Sequence, residues 1–219
     1  MTPPAQTAVV NGVDLAQAPP RTPLHVVKPS SGVDLVTAEQ AAAAFLVALG
    51  VDLDTESLAA TPARMARAYA EMFSPRPFDL TTFPNDAGYD EMIIARSIPV
   101  QSVCEHHLLP FVGVAHVGYL PGERILGLSK LARVVELFAR RPQVQERLTQ
   151  QVADWLHDQL APGGVGVVVA AEHLCMTVRG VRAAGAHTVT SALHGQLRSD
   201  AASRAEFFSL IAAQDKARP

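Results

Sequence analysis

The stretch Phe111-Val-Gly-Val-Ala-His-Val-Gly-Tyr-Leu120 alternates between two kinds of position. The residues on its apolar side are Phe111, Ala115, Val117 and Tyr119. A period of two predicts a β-strand that buries one face. Pro121-Gly122 then predicts a turn, and Ile125-Leu126 predict the start of a partner strand. This stretch therefore indicates an antiparallel sheet in the middle of the chain.

Strands and helices follow each other in groups on both sides of this stretch. Further strands are predicted over residues 92–100, 165–171, 174–179 and 188–197. Helices are predicted from the capping boxes Thr37-Ala-Glu-Gln40 and Ser203-Arg-Ala-Glu206, from Thr61-Pro62, from Ser129 as a cap, and over residues 144–156. Runs of strands separated by runs of helices predict an α+β fold with an antiparallel sheet packed by helices, rather than a doubly wound parallel sheet.

The chain divides into three regions by composition. Residues 1–36 hold six of the 16 prolines and no aromatic residue, which predicts a flexible Pro/Ala-rich N-terminal arm. Residues 37–90 form a predicted N-terminal helical region, and residues 91–219 form the predicted catalytic domain. With 48% hydrophobic and 18% charged residues, the 219-residue chain has enough apolar material for a folded core.

Charge and hydropathy narrow the classes of function. The net charge of −3 argues against a dedicated nucleic-acid binder with a broad basic surface. The chain has no run of about 18 apolar residues, and its first residues show no basic leader followed by an apolar segment. The sequence therefore predicts a cytoplasmic protein without a membrane or nucleic-acid partner.

The two cysteines lie in motifs that fit a metal site. Cys104 and His107 are three residues apart, so one turn can present a thiolate and an imidazole to a single ion. With Cys175 they give two sulfurs and one nitrogen, a set that suits zinc and leaves one tetrahedral position for water. A lone Cys-x-x-His is a weak signal, and inert buried thiols, a core histidine or a disulfide bridge stay open from the residues alone.

The segment around the second cysteine is expected to be extended, with polar and apolar residues on opposite faces. The polar face would carry His173, Cys175, Thr177 and Arg179, and the core face Leu174, Met176 and Val178. Polar side chains of this kind are costly to bury unless a site uses them. His106 and His173 adjoin the candidate ligands, and imidazoles titrate near neutral pH, so both are candidate proton-transfer residues.

Two helix starts carry candidate substrate contacts. Near Ser129, free backbone N–H groups and the positive end of the helix dipole would face an anion, with Lys130 and Arg133 one turn apart. The alternative is a solvated helix face with ordinary ion pairs. Gln145 and Glu146 lie near the next start, where a buried carboxylate could accept two hydrogen bonds from a guanine-like edge. An exposed first-turn glutamate is the usual case.

Several motifs, taken in order, resemble the GTP cyclohydrolase I family. They are Cys104-Glu-His-His-Leu-Leu-Pro-Phe-Val-Gly113, Gly127-Leu-Ser-Lys-Leu-Ala-Arg133, Arg140-Arg-Pro-Gln-Val-Gln-Glu-Arg-Leu-Thr149, Gly164-Val-Gly-Val-Val-Val169, Glu172-His-Leu-Cys-Met176 and Arg179-Gly-Val-Arg182. The resemblance runs from about Thr37 to Ile211 and includes Thr61-Pro62-Ala-Arg64. It shows no departure at a metal or catalytic position and does not cover residues 1–36.

The resemblance implies a zinc-dependent hydrolase that acts on cyclic amidine C–N bonds. Such an enzyme converts GTP to 7,8-dihydroneopterin triphosphate and formate, the entry step to tetrahydrofolate and, in some organisms, to tetrahydrobiopterin. It also implies the tunnelling fold (T-fold), in which antiparallel sheets of several subunits close into a barrel. The expected assembly is a homodecamer of two stacked pentamers with active sites at subunit interfaces.

Roles for individual residues also follow from the resemblance. Cys104, His107 and Cys175 would bind Zn²⁺, and an activated water would attack C8 of the guanine ring. His173 would protonate the ring nitrogen as the bond opens, with His106 assisting. The substrate contacts would be Glu146, with Gln145 beside it, for guanine, and Ser129, Lys130, Arg133, Arg179 and Arg64 of a neighbouring subunit for the triphosphate.

Other classes of protein fit the sequence less well. A nucleobase deaminase would carry His-x-Glu and Cys-x-x-Cys motifs, which this chain lacks. A non-catalytic or altered-activity purine- or pterin-binding T-fold protein, or a zinc-stabilised scaffold, is the remaining alternative. Such a protein would not need Glu146, Arg179 and both free histidines together.

Overall fold

The computed structural model describes residues 9–10, 13–14 and 32–212. The helices are α1 (Leu35–Ala48), α2 (Thr61–Met72), α3 (Leu128–Ala139), α4 (Gln145–Leu160), α5 (Leu174–Thr177), α6 (Gln196–Ser199) and α7 (Ala201–Ala212). The strands are β1 (Val9–Val10), β2 (Val13–Asp14), β3 (Thr82–Pro84), β4 (Ile93–Cys104), β5 (Pro110–Leu120), β6 (Arg124–Leu126), β7 (Pro142–Gln143), β8 (Gly164–His173) and β9 (His187–Gly195). Most of the predicted N-terminal arm lies outside the described residues, and the division into three regions stays a prediction.

Five strands form one sheet in the order β7-β4-β5-β8-β9. The neighbours from β4 to β9 pair antiparallel, whereas the two-residue β7 pairs parallel with β4. Phe111, near the start of β5, is paired with Ser102 on β4 and with His173, the last residue of β8. The carboxyl ends of β4 and β8 therefore meet at one end of the sheet. The α+β class is confirmed, with a mixed sheet that is antiparallel except for β7.

The two faces of the sheet are covered by different helices. Helices α3 and α4 pack on one face, and the predicted apolar side of β5 is fully buried there. On the other face, Phe207 of α7 lies against Gly118 and Gly166, which are paired across β5 and β8. A Cβ atom at either glycine would come within 3.0 Å of the Phe207 ring. The two glycines therefore leave the space that this helix needs to dock.

The expected strand over residues 174–179 is wrong. Residues 174–177 form the single helical turn α5 immediately after β8. Met176 and Val178 do not face the core, because 38% and 62% of their surfaces are exposed. The alternating pattern of the segment is thus not a sign of extended backbone. Cys175 is buried by the helical turn instead.

Local expectations about partners and caps also need correction. Ile125-Leu126 belong to β6, which pairs with β3 and not with β5. The cap of α1 is Asp34, whose carboxylate accepts the Thr37 N–H at 3.0 Å. An aspartate at the cap position can accept a hydrogen bond from the unpaired backbone N–H three residues later. The caps of α2 and α3 are Ala60 and Gly127, and not the predicted Thr61 and Ser129. At the last helix, Asp200 accepts the Ser203 N–H, so the cap lies before the predicted Ser203.

None of the helices in the described part of the chain is both long enough and apolar enough to cross a membrane.

An ion pair ties the connector after α2 to α3. Arg76 donates to both carboxylate oxygens of Glu136 at 2.7 Å, and Arg133 donates at 3.2 Å. These contacts lower the pKa of Glu136 below its ordinary value of 4.5, and the hydrogen bond from Arg76 has the largest effect. The folded state therefore gains stability from this group above about pH 4.5 and loses it as the pH falls through the depressed pKa.

We expect Glu136→Gln to lower the free energy of unfolding by about 1 kcal/mol at pH 7, a small value because Arg76 is 66% exposed. The difference between variant and wild type should shrink as the pH falls below 4.5, the ordinary value of the carboxyl group. Urea unfolding at several pH values measures it. Glu206→Gln, an exposed site on α7, is the control. A difference that stays constant with pH would contradict the assigned ion pair.

Candidate metal centre

Three side chains predicted as ligands come together at one end of the sheet. Cys104 ends β4, His107 lies in the turn after it, and Cys175 lies in α5. Their ligand atoms are all within 4.8 Å of one another, with 3.6 Å between Cys104 Sγ and His107 Nδ1. Tetrahedral zinc, with bonds of about 2.3 Å to sulfur and about 2.0 Å to nitrogen, separates these atoms by about 3.6 Å. The donor set and its spacing therefore fit zinc.

The turn that carries His107 is held from both ends. The Cys104 N–H donates to the Leu109 carbonyl at 2.9 Å, and the Leu108 N–H donates to the Cys104 carbonyl at 2.8 Å. Leu108 takes a left-handed backbone with φ 51°, which costs on the order of 1–2 kcal/mol for a residue with a side chain. The hydroxyl of Tyr69 on α2 donates to the Leu108 carbonyl at 3.0 Å. Helix α2 thus helps to fix the turn in the shape that brings His107 back to Cys104.

The two thiols are buried and unbridged. Cys104 and Cys175 are 7% and 8% exposed, and both are free cysteines. Burial and the neighbouring Cys104 thiol raise the pKa of Cys175, and the positive charge of Arg179 acts in the opposite direction. A divalent cation between the two sulfurs would favour both thiolates. Arg179 follows Cys175 by four residues, just after α5.

His106 lies on the exposed side of the same turn. Its side chain is 63% exposed, and its Nδ1 lies 3.8 Å from Cys104 Sγ. The preceding Glu105 accepts two hydrogen bonds from Arg147 of α4 at 2.7 and 2.8 Å. This hydrogen-bonded pair holds the pKa of Glu105 below its usual range. The turn is therefore anchored to α4 by Arg147, while His106 stays open to solvent.

His173 is held between an aromatic ring and a buried amide. Its imidazole stacks on Phe111 with 4.6 Å between ring centroids and 12° between planes. Its Nε2 lies 2.7 Å from Oε1 of Gln145. Burial lowers the pKa of His173, and the negative charge of Glu146 acts in the opposite direction. Glu146 itself is exposed in the first turn of α4, next to Gln145 in the sequence.

The predicted triphosphate residues fall into two groups. Arg179 follows the α5 turn that carries Cys175, whereas Ser129 and Arg133 line a groove of about 360 Å³ beside α3. That groove also borders Ile98 and Gln101 of β4, which are roughly 20 and 10 Å from Cys104 along the strand at about 3.3 Å per residue. The structure therefore does not bring Ser129 and Arg133 to the metal centre of the same chain.

The remaining predicted residues are placed as follows. Lys130 follows Ser129 in the first turn of α3, and Ser129 is the second helical residue rather than the cap. Arg64 is exposed on α2 and donates to the Ser57 carbonyl at 3.5 Å. Gln145 is 1% exposed, and its amide is used within the protein, so it does not present a free edge beside Glu146.

Five supporting residues were not predicted. These are Tyr69, Phe111, Glu105 with its partner Arg147, and Arg76, which enters the groove beside Arg133. The Cys104-Glu-His-His107 run was a signal for Glu105, because it adjoins two candidate site residues. The others contact residues 39 to 62 positions away, and no local pattern marks them as part of a site.

Comparison with known proteins identifies the relatives of this chain. The sequence profile of the family described as GTP cyclohydrolase I matches residues 38–212. The GTP cyclohydrolase 1 of Thermobifida fusca is 55% identical over 186 residues, covering 83% of this chain and 90% of that protein. The GTP cyclohydrolase 1 of Streptomyces avermitilis is 57% identical over 182 residues, covering 81% and 90%. That of Mycobacterium leprae is 56% identical over 183 residues, covering 81% and 89%.

Proposed function

The chain belongs to the GTP cyclohydrolase I family and is an enzyme, and we propose that it hydrolyses GTP to 7,8-dihydroneopterin triphosphate and formate. The observation that carries this proposal is the grouping of Cys104, His107 and Cys175 at the end of the sheet where His173 lies. Two hydrolytic steps each consume one water, at C8 and at the resulting formyl group. Rearrangement of the ribose and ring closure then release one water, so the net reaction consumes one.

Zinc is the proposed cofactor. Two cysteines and one histidine whose ligand atoms lie within 4.8 Å of one another support it, because soft sulfur ligands with imidazole select zinc over hard cations. When bound, zinc would supply a Lewis acid that lowers the pKa of a water molecule to about 7. Cys104, His107 and Cys175 would hold the ion and would leave one coordination position for water. The exposure of His107 supports access of substrate to that position.

His173 and His106 are the proposed proton-transfer residues. His173 would deliver a proton to the ring nitrogen as the C8–N bond opens, and its fixed stacking on Phe111 supports this task. His106 would exchange protons between the reacting group and solvent, and its exposure supports this role. A positioned general acid or base of this kind contributes about 10²- to 10⁴-fold to the rate.

Recognition of GTP is proposed to use both ends of the substrate. Glu146 would accept hydrogen bonds from N1–H and the 2-amino group of guanine, and its exposed position beside Gln145, which contacts His173, supports this role. The triphosphate would be bound by Ser129, Lys130, Arg133, Arg179 and Arg64. Arginine guanidinium groups suit bidentate binding of phosphate.

The assembly is proposed to be a T-fold homodecamer of two pentamers with a shared β-barrel. Ser129 and Arg133 of α3 line a groove that borders Ile98 and Gln101 of β4 but not Cys104, which supports a site completed by a neighbouring subunit. The cytoplasm, and use of the product for tetrahydrofolate or another pterin, are part of the same proposal. Sedimentation of the purified protein measures the assembly directly.

The test is turnover of GTP by the purified, zinc-loaded chain. We expect formate release and, after oxidation, a fluorescent neopterin product, both dependent on the metal. Zinc removal with a chelator and restoration with Zn²⁺ is the control. A zinc-loaded protein that binds GTP but releases no formate would instead support the non-catalytic alternative.

A further inference from the structure

Gln145 is a fully buried polar residue at the start of α4. Its side-chain nitrogen lies 3.0 Å from the Val169 carbonyl, 2.9 Å from the Thr188 carbonyl and 3.1 Å from Thr190 Oγ1. Its side-chain oxygen lies 2.7 Å from His173 Nε2. The amide therefore joins strands β8 and β9 to the histidine proposed for proton transfer.

These contacts fix the orientation of the amide. Backbone carbonyls only accept hydrogen bonds, so the NH₂ group of Gln145 must face Val169 and Thr188. The amide oxygen must then face His173, and an amide oxygen only accepts. His173 Nε2 therefore carries a hydrogen. This holds for the neutral and the protonated ring alike, because Nε2 is a donor in both.

The hydroxyl groups of Thr149 and Thr190 are consistent with this orientation of the Gln145 amide. Thr149 donates its single hydroxyl hydrogen to the backbone carbonyl of Gln145 at 2.8 Å. Thr190, whose Oγ1 lies 2.6 Å from that of Thr149, must then donate to Thr149. That leaves the oxygen of Thr190 to accept from the Gln145 amide. The two amide hydrogens of Gln145 thus serve three acceptors, one of them shared, and a flipped amide would place its oxygen against carbonyl oxygens.

We infer that Gln145 is a positioning residue that holds the hydrogen of His173 on Nε2, so that Nδ1 is the ring nitrogen left for proton exchange with the substrate. Stacking on Phe111 fixes the plane of the ring, and the Gln145 hydrogen bond fixes its rotation within that plane. This inference rests on the proposed role of His173. It replaces the expected contact of Gln145 with the guanine base, because both ends of its amide are already used inside the protein.

The test substitutes Gln145 by methionine, which has similar length and volume but neither donor nor acceptor strength. We expect kcat to fall about 10- to 100-fold with the KM for GTP changed by less than about twofold, since a positioning loss acts on the reaction step. Gln150→Met, five residues along the same helix and exposed, is the matched control and should keep wild-type kinetics. Thermal unfolding reports whether each variant is folded.

A base contact and a positioning contact give different results. If Gln145 bound the base, Gln145→Met would raise KM and the dissociation constant of GTP, which would overturn the inference. Unchanged kcat and KM would overturn it as well. The split between kcat and KM separates the two roles in a way that a loss of overall activity would not.

A spectroscopic measurement on the unmodified protein covers the case in which Gln145→Met does not fold. Solid-state ¹⁵N NMR of histidine-labelled protein distinguishes protonated from unprotonated ring nitrogens, and the His173 signals are assigned by their loss in His173→Gln. We expect a protonated Nε2 with an unprotonated Nδ1 when the ring is neutral. A hydrogen on Nδ1 alone would overturn the inference. Since no GTP is used, this result is separate from the turnover test of the proposed function.

Discussion

Cys175→Ser is expected to remove the bound zinc and to lower GTP turnover at least about 1,000-fold. Only Cys104 and His107 would remain as strong ligands, and a serine hydroxyl does not replace a thiolate at neutral pH. A bound metal ion that acts as a Lewis acid stabilises the transition state by several kcal/mol, and each 1.4 kcal/mol changes the rate about tenfold. Zinc per chain by mass spectrometry and formate release measure the two losses.

The fold should survive this substitution. Cys175 is 8% exposed, and serine is slightly smaller than cysteine, so no overpacking results. Met176→Leu is the matched control, because it removes a sulfur one residue away in the same turn on an exposed side chain. It should retain zinc and activity. Stoichiometric zinc in Cys175→Ser would show that the ligand set is wrong.

Strong local patterns were sufficient for the main strand and for the Cys-x-x-His turn. The alternation of Phe111, Ala115, Val117 and Tyr119 predicted their burial, since a strand against a core needs one apolar face. Cys104 and His107 are close because three residues span one turn, which is a local property. Both inferences depend only on neighbours in sequence, and the structure agrees with both.

The segment around Cys175 shows where periodicity is insufficient. Four to six residues are too few to distinguish a strand from a single helical turn, and the apolar residues at alternate positions suggested a strand. In the structure, Met176 and Val178 are exposed and α5 turns Cys175 inward. The prediction that Cys175 lies with Cys104 and His107 agrees with the structure although the predicted backbone was wrong, because that prediction depended on side-chain chemistry and not on alternation.

Long-range polar contacts could not be predicted. Gln145 reads as an exposed polar residue in the first turn of a helix, the usual position for glutamine. Its burial depends on where α4 crosses β8 and β9, and its partners Thr188 and Thr190 lie more than 40 residues away. Arg76 and Glu136 are likewise 60 residues apart. Such contacts follow from tertiary packing, which a single sequence does not display.

Glu146→Ala is expected to lower kcat/KM for GTP about 10²- to 10⁴-fold while zinc stays bound. The carboxylate is proposed to accept two charge-assisted hydrogen bonds from the guanine edge, each contributing about 1.5–3 kcal/mol. Glu146 is exposed in the first turn of α4, so its loss should affect folding only through the helix dipole, by less than about 1 kcal/mol. Steady-state kinetics and zinc analysis of the same preparation measure both properties.

Inosine 5′-triphosphate separates base recognition from other causes of lost activity, because it lacks the 2-amino group. The wild-type enzyme should prefer GTP over inosine 5′-triphosphate, and Glu146→Ala should lose most of that preference, since the group that reads the 2-amino position is gone. Asp158→Ala, at an exposed acidic residue of the same helix, should retain it. An unchanged preference in Glu146→Ala would assign guanine recognition to another residue, whereas loss of zinc would mean that the carboxylate supports the metal centre instead.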